Sequence, residues 1–187
     1  MRHRHRIALL CAAILAVAVP LPPPARAGEA IEQLKSDVAL VLGTREAGGD
    51  GLQAATLEMF DWNEMAHRVL GDHQWSARTE AEREQFVRLL GGLVQGQIAA
   101  LGAVRSESVE YLGESVDNDT ATVETRIPRG PGNEMRLDYA LLRRDGRWRV
   151  YDVVVNHASL LGNYRAQFRK ILKTVSYEGL IAKLTAR

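Results

Sequence analysis

The chain has one cysteine, no patterned histidine and no long apolar span, and each absence closes a class of function. Cys11 lies in an apolar run near the N-terminus, so the chain after it has no disulfide and no thiolate for metal binding or catalysis. The five histidines form no H-x-x-x-H or H-E-x-x-H pattern. His67, His73 and His157 would need carboxylates gathered by tertiary structure to hold zinc, so neither metal nor cofactor is expected. The apolar run Ile7–Val19 has 13 residues, whereas a bilayer span needs about 20. No G-x-S-x-G elbow surrounds any serine.

Strong positive charge is missing as well. Residues 1–27 carry four of the 24 basic residues and none of the 23 acidic ones, which leaves a net charge of −3 on residues 28–187. Nucleic-acid binding rests on clustered Lys and Arg, so it is not expected. The charge is uneven, however. Residues 28–100 hold 12 acidic and 6 basic side chains, and residues 101–187 hold 11 and 14. The basic half could face lipid phosphates or an acidic partner, or be ordinary solvated surface.

What is present begins with a leader. Arg2, Arg4 and Arg6 precede the apolar run, and Ala25-Arg26-Ala27 follows it as an A-x-A cleavage site. Residues 1–27 therefore read as a cleaved secretory signal. Residues 28–187 suit one domain, which at this length buries roughly 70% of its unfolded surface.

Periodicity predicts helices first. Ile31, Leu34, Val38, Val41 and Leu42 recur at helical spacing over 29–42. A Gly-rich loop over 48–51, a helix over 52–60 and a helix over 62–70 follow, with Gly71 at the cap position. Thr79-Glu80-Ala81-Glu82 is a capping box that opens a helix from Glu80 to Leu101. Such a helix is about 33 Å long. Gly91, Gly92 and Gly96 lie inside it, and each costs roughly 1 kcal/mol against Ala. They mark close packing, a kink, or room for a ligand.

Four strands are expected next, over 106–113, 120–127, 135–143 and 147–156. Ala121, Val123, Thr125 and Ile127 share one face, as do Met135, Leu137, Tyr139 and Leu141. Asp145-Gly146 is a two-residue hairpin signal. In the last strand, alternation puts Trp148, Val150, Asp152 and Val154 on one face. Its end is apolar on both faces, so both are expected to be covered. Helices over 162–173 and 176–184 close the chain. The order predicts α+β: a four-stranded antiparallel sheet packed against helices.

Asp152, His157 and Ser159 invite a hydrolase reading, but a triad is defined by geometry, not proximity in sequence. Ser159 suits a turn or helix cap. Asp152, among apolar neighbours, needs a partner or it protonates. Arg165, at the start of the next helix, is the expected one. The alternatives for Asp152 are a polar contact at a cavity mouth or a general base.

Several ordered motifs together resemble the MlaC family of periplasmic phospholipid carriers, also called the toluene-tolerance family. Phe60-Asp61-Trp62-Asn63-Glu64-Met65-Ala66 through Leu70-Gly71 and Trp75 is similar to F-D-F-x-x-M-A-x-x-x-L-G-x-x-W. Phe86-Val87-Arg88-Leu89-Leu90 resembles F-x-x-L-L, and Trp148 through Val153 resembles W-K-V-Y-D-V. Ser159-Leu160-Leu161, Asn163-Tyr164-Arg165 and Phe168 are similar to S-L-V-x-N-Y-R-x-x-F. Two positions depart from the pattern. Asn156-His157 stands where members have Glu-Gly, and Gly96 with its neighbours replaces a common aromatic residue.

The resemblance implies a curved sheet and helices enclosing an apolar cavity that holds phospholipid acyl chains. It implies a periplasmic shuttle, not an enzyme, between an outer-membrane lipoprotein complex and an inner-membrane ABC transporter with an MCE-domain subunit. That shuttle maintains outer-membrane lipid asymmetry. The expected lining is Met65, Val69, Phe86, Leu90, Leu93, Val123, Leu137, Tyr139, Val150, Val154 and Tyr164. The alternatives are a hopanoid or other polycyclic cargo, and an enzyme with Asp152 as base in a cone-shaped pocket.

Overall fold

Local signals in the chain set the helices, and a computed structural model describes them over residues 28–45, 49–99 and 108–186. The expected leader, 1–27, lies outside the described residues. The apolar stripe beginning at Ile31 becomes α1 (Glu29–Arg45), which buries Leu34, Val38 and Val41. The segment expected as a Gly-rich loop is instead the first turn of α2 (Gly49–Met59), as far as it is described. Helix α3 (Trp62–Leu70) starts on Asp61, whose carboxylate accepts from the Glu64 N–H at 3.0 Å. A one-turn helix, α4 (Asp72–Ser76), had too little sequence to announce itself.

Helix α5 (Glu80–Ala99) opens on the predicted box. Thr79 Oγ1 accepts from Glu82 N–H at 3.3 Å, and Glu82 accepts from Thr79 N–H at 2.7 Å. Donation from the Thr79 N–H and hydroxyl holds the Glu82 carboxyl below its ordinary pKa. The expected end of this helix at Leu101 lies outside the described residues. Gly91 faces the Trp62 ring, and a Cβ there would lie 3.9 Å from it, in ordinary contact. Gly92 and Gly96 are exposed, and no described atom lies within 4 Å of a Cβ built on either.

The sheet runs β1 (Glu110–Asp117), β2 (Thr120–Gly130), β3 (Asn133–Arg144), β4 (Arg147–Val155) and β5 (Ala158–Ser159), antiparallel and adjacent in that order. It has five strands, not the four expected. The fifth is two residues long, so it shows no alternation to read. Strand β1 lies further along the chain than predicted, because a bulge at Leu112 breaks its pattern. Ala121, Val123, Thr125 and Ile127 of β2 are buried, as are Leu137, Tyr139 and Leu141 of β3. Trp148 and Val150 of β4, each 1% exposed, complete that face. Each large buried apolar side chain contributes about 1.5–3 kcal/mol.

A second bulge reverses the end of β4. Leu141 pairs with Val150 but Ala140 pairs with Asp152, so Tyr151 is the extra residue. Beyond it Val153 lies opposite Tyr139 and Val155 opposite Leu137, while Val154 lies opposite Asp138. Strict alternation therefore misassigned Val154 and Asp152. An inserted residue shifts the pleat by one and exchanges the two faces.

Arginines of the β3–β4 hairpin fasten the helices to the sheet. Arg143 reaches Glu29 at 3.4 Å, Arg144 reaches Asp61 and Glu64 at 2.8 Å, and Arg147 reaches Asp37 and Glu58 at 3.0 Å. Burial outweighs the pull of Arg147 and raises the Asp37 carboxyl above its ordinary pKa. Helices α6 (Leu160–Leu172) and α7 (Tyr177–Thr185) follow the sheet. Phe168 of α6 meets Phe86 edge-on at 5.8 Å, and the Tyr177 hydroxyl donates to the Glu82 carbonyl. These contacts close α6 and α7 onto α5.

Candidate functional site: an apolar pocket between sheet and helices

The sheet's buried face and four helices leave a pocket of about 230 Å³. Val38, Val41 and Leu42 of α1, Met59 and Phe60 at the end of α2, and Val94, Gln97 and Ile98 of α5 form one wall. Val109, Ile127, Leu137, Tyr139, Val153 and Val155 form the other, with Leu160 at the start of α6. Gln97 and the Tyr139 hydroxyl are the polar side-chain groups of this lining. Burial raises the Tyr139 pKa. Nearby, Tyr111 is pushed up to about 12 by burial and by the charge of Glu32. Both phenols stay neutral at any physiological pH, so among the described residues the lining offers no charge and no base.

A cleft of about 280 Å³ adjoins it between α5 and α6, lined by Leu93, Gln97, Leu160, Asn163, Tyr164 and Gln167. Gln97 and Leu160 belong to both. Of the eleven lining residues expected from sequence, Leu137 and Tyr139 face the pocket and Leu93 and Tyr164 face the cleft. Met65, Val69, Phe86, Leu90, Val123 and Val150 are buried in the packed core. Val154 lies off the pocket, for the register reason given above. The walls that sequence reasoning missed had a signal. Val38, Val41 and Leu42 form the apolar stripe of α1, and the end of β4 was apolar on both faces.

Asp152 does not pair with Arg165. Its Oδ2 accepts from the Ser159 hydroxyl at 2.6 Å, and its Oδ1 accepts from the N–H groups of Leu161 (3.0 Å) and Val153 (2.8 Å). Ser159 is the N-cap of α6 and accepts from Gly162 N–H at 2.8 Å. Carboxylate and hydroxyl together fix the strand-to-helix join and place a negative charge at a helix N-terminus, where it is favourable. Arg165 is exposed. Asn156 and His157 form the turn between β4 and β5, with φ of 47° and 69°. Two left-handed residues make the type I′ geometry that joins tight hairpins. Asn156 also accepts from Arg136 N–H at 3.0 Å, which ties the turn to β3. Ser159 thus faces Asp152 directly, and His157 is an exposed turn residue.

The MlaC protein family's sequence profile matches residues 26–186. The chain belongs to the MlaC family. A solved structure of similar fold is the phospholipid-binding protein from Ralstonia solanacearum, in complex with a phospholipid. The TM-score is 0.72 at 22% sequence identity, over 85% of this chain and 96% of that one. That identity supports likeness of fold. No curated protein matches the chain. In this MlaC-family chain the F-D-F-like motif has a structural task. Phe60 bridges Val150 and lines the pocket, Asp61 caps α3, and Trp62 packs on Gly91. The W-K-V-Y-D-V-like motif supplies Trp148 and Val150 to the core, Tyr151 to the bulge and Asp152 to the cap.

Proposed function

We propose that the protein is a periplasmic lipid carrier that holds phospholipid acyl chains in the pocket between sheet and helices. The observation that carries this reading is the pocket itself: among the described residues, thirteen of the fifteen that line it are purely apolar and none is charged. Family membership supports it, as does the phospholipid held by the Ralstonia solanacearum protein of similar fold. The energetics fit a carrier. Each exposed methylene costs about 0.8 kcal/mol, so a 16-carbon chain in water costs on the order of 12 kcal/mol. A carrier has to cover the chain, and the headgroup can stay in solvent.

The pocket is smaller than the roughly 300–1,000 Å³ usual for small-molecule sites. Loading a two-chain lipid therefore requires the helices to move apart from the sheet, and the α5–α6 cleft beside the pocket is the seam we assign to that opening. Among the described residues no helix is long and apolar enough to cross a membrane. In our account the carrier passes lipid between an outer-membrane lipoprotein complex and an inner-membrane ABC transporter bearing an MCE-domain subunit, and so maintains outer-membrane lipid asymmetry. It performs no catalysis. Asp152, the base an enzyme would need, is occupied by three donors and lies off the pocket.

Lipid extraction and mass spectrometry of protein purified from a Gram-negative periplasm test the cargo. Ester-linked phospholipid is the expected result. A polycyclic hopanoid would keep the carrier and change its cargo, and loss of turnover of a small molecule in Asp152→Asn would replace the carrier with an enzyme.

A further inference from the structure

Part of the basic half of the chain gathers on one helix. Eight arginines between Arg68 and Arg147 each lie within 4.0 Å of a carboxylate. Arg165, Arg169, Lys170 and Lys173 do not: among the described residues none has a carboxylate in that range, and all four are exposed. They share α6 and its C-cap, a segment with no acidic residue. Arg165, Arg169 and Lys173 stand four residues apart in one row about 12 Å long. Leu161, Tyr164 and Phe168 are buried on the other side of the helix.

Helix-dipole compensation accounts for cations in the last turn, where they are favourable. It does not account for Arg165, which sits in the first half, where a positive charge gains nothing from the dipole. Lys170, beside that row, has a definite neighbour. Asn163, Gln167 and Lys170 follow one another at helical spacing, and Asn163 and Gln167 line the α5–α6 cleft that shares Gln97 and Leu160 with the apolar pocket. Lys170 therefore borders an opening to an apolar interior, and the row of Arg165, Arg169 and Lys173 continues from it across the exposed face of α6 toward α3. A bilayer of anionic phospholipid is the partner that offers anions beside hydrocarbon; an acidic protein surface offers only the first.

We propose that the outer face of α6 docks the protein on an anionic phospholipid bilayer, with Arg165, Arg169, Lys170 and Lys173 against lipid phosphates and the α5–α6 cleft turned toward the membrane. Each cation near such a surface changes partition about fivefold. Flotation with vesicles of phosphatidylglycerol and phosphatidylcholine, against phosphatidylcholine alone, measures this. The full-length mature protein binds the anionic vesicles preferentially, and about 1 M salt, where the screening length falls to about 3 Å, releases it. Alanine at Arg169, Lys170 and Lys173 together lowers binding about 100-fold, while Arg88→Ala, on the outside of α5, leaves it unchanged.

If the triple variant melts early, Arg165→Glu replaces it. An acidic residue in the first half of a helix is compatible with its dipole, and the two-unit charge change lowers binding about 25-fold. Equal binding to neutral vesicles, or wild-type binding by these variants, overturns the proposal. Retention on immobilised polyglutamate without preference for anionic vesicles assigns the face to an acidic protein and also overturns it. Native mass spectrometry of the same preparations reports cargo separately. Bound lipid without docking refutes the docking face alone, and docking without cargo refutes the carrier alone.

Discussion

Replacing Asp152 with Asn separates a structural carboxylate from a catalytic one. The carboxylate receives one hydroxyl and two backbone N–H groups, at 2.6, 3.0 and 2.8 Å. Asparagine keeps one acceptor oxygen and turns an NH₂ toward Ser159, which already serves Gly162. The lost charge at the α6 N-terminus costs about 0.3–1 kcal/mol. The lost charge-assisted bond to the Ser159 hydroxyl costs about 1.5–3 kcal/mol. Together these predict about 2–4 kcal/mol of destabilisation, or a Tm lower by roughly 4–15 °C at this chain length. Urea titration and calorimetry measure it. Ser159→Ala removes the same cap, so the double variant should lose about 1 kcal/mol or more less than the sum of the single losses. Lipid content should change little. An unaltered Tm in Asp152→Asn, or strictly additive losses in the double variant, would refute the reasoning.

Three further outcomes follow from the geometry. His157→Gly relieves a left-handed residue in the β4–β5 turn and should stabilise the fold by about 1 kcal/mol in urea titrations. Gly92→Ala with Gly96→Ala meets no atoms within 4 Å and should raise stability by about 1–2 kcal/mol, with lipid content unchanged. Tyr111 and Tyr139 stay protonated in the fold up to higher pH than in the unfolded chain. Above pH of about 10 the unfolded chain releases those protons first, so stability falls as pH rises toward 12. Tyr139→Phe should flatten that fall in denaturation curves taken across the alkaline range.

Much of the architecture was legible because periodicity and capping are local. The stripe of α1, the Thr79–Glu82 box and the Asp145-Gly146 turn each announce their element without help from elsewhere. The inner faces of β2 and β3 were legible for the same reason. The site was less so. Val153, Val155 and Val154 look alike in sequence, and which of them faces the pocket depends on one inserted residue, Tyr151, that no alternation reveals. Asp152 looked like a partner for Arg165 because the charges match. The backbone brings Ser159 and the Leu161 N–H closer instead, and a carboxylate at a helix start is satisfied by what it meets first. The six expected lining residues that lie in the packed core show a general limit. Apolar patterning identifies what is buried, and a filled core and an open pocket are buried by the same residue types.

Native mass spectrometry of the protein with Val153→Asn and with Val154→Asn tests the central claim most directly. Val153 lines the pocket and Val154 lies on the other side of the strand. The account predicts a lipid mass on the wild type and on Val154→Asn, and its loss or strong reduction on Val153→Asn. A wild type free of lipid that takes none from vesicles, or equal loading of both variants, would contradict it.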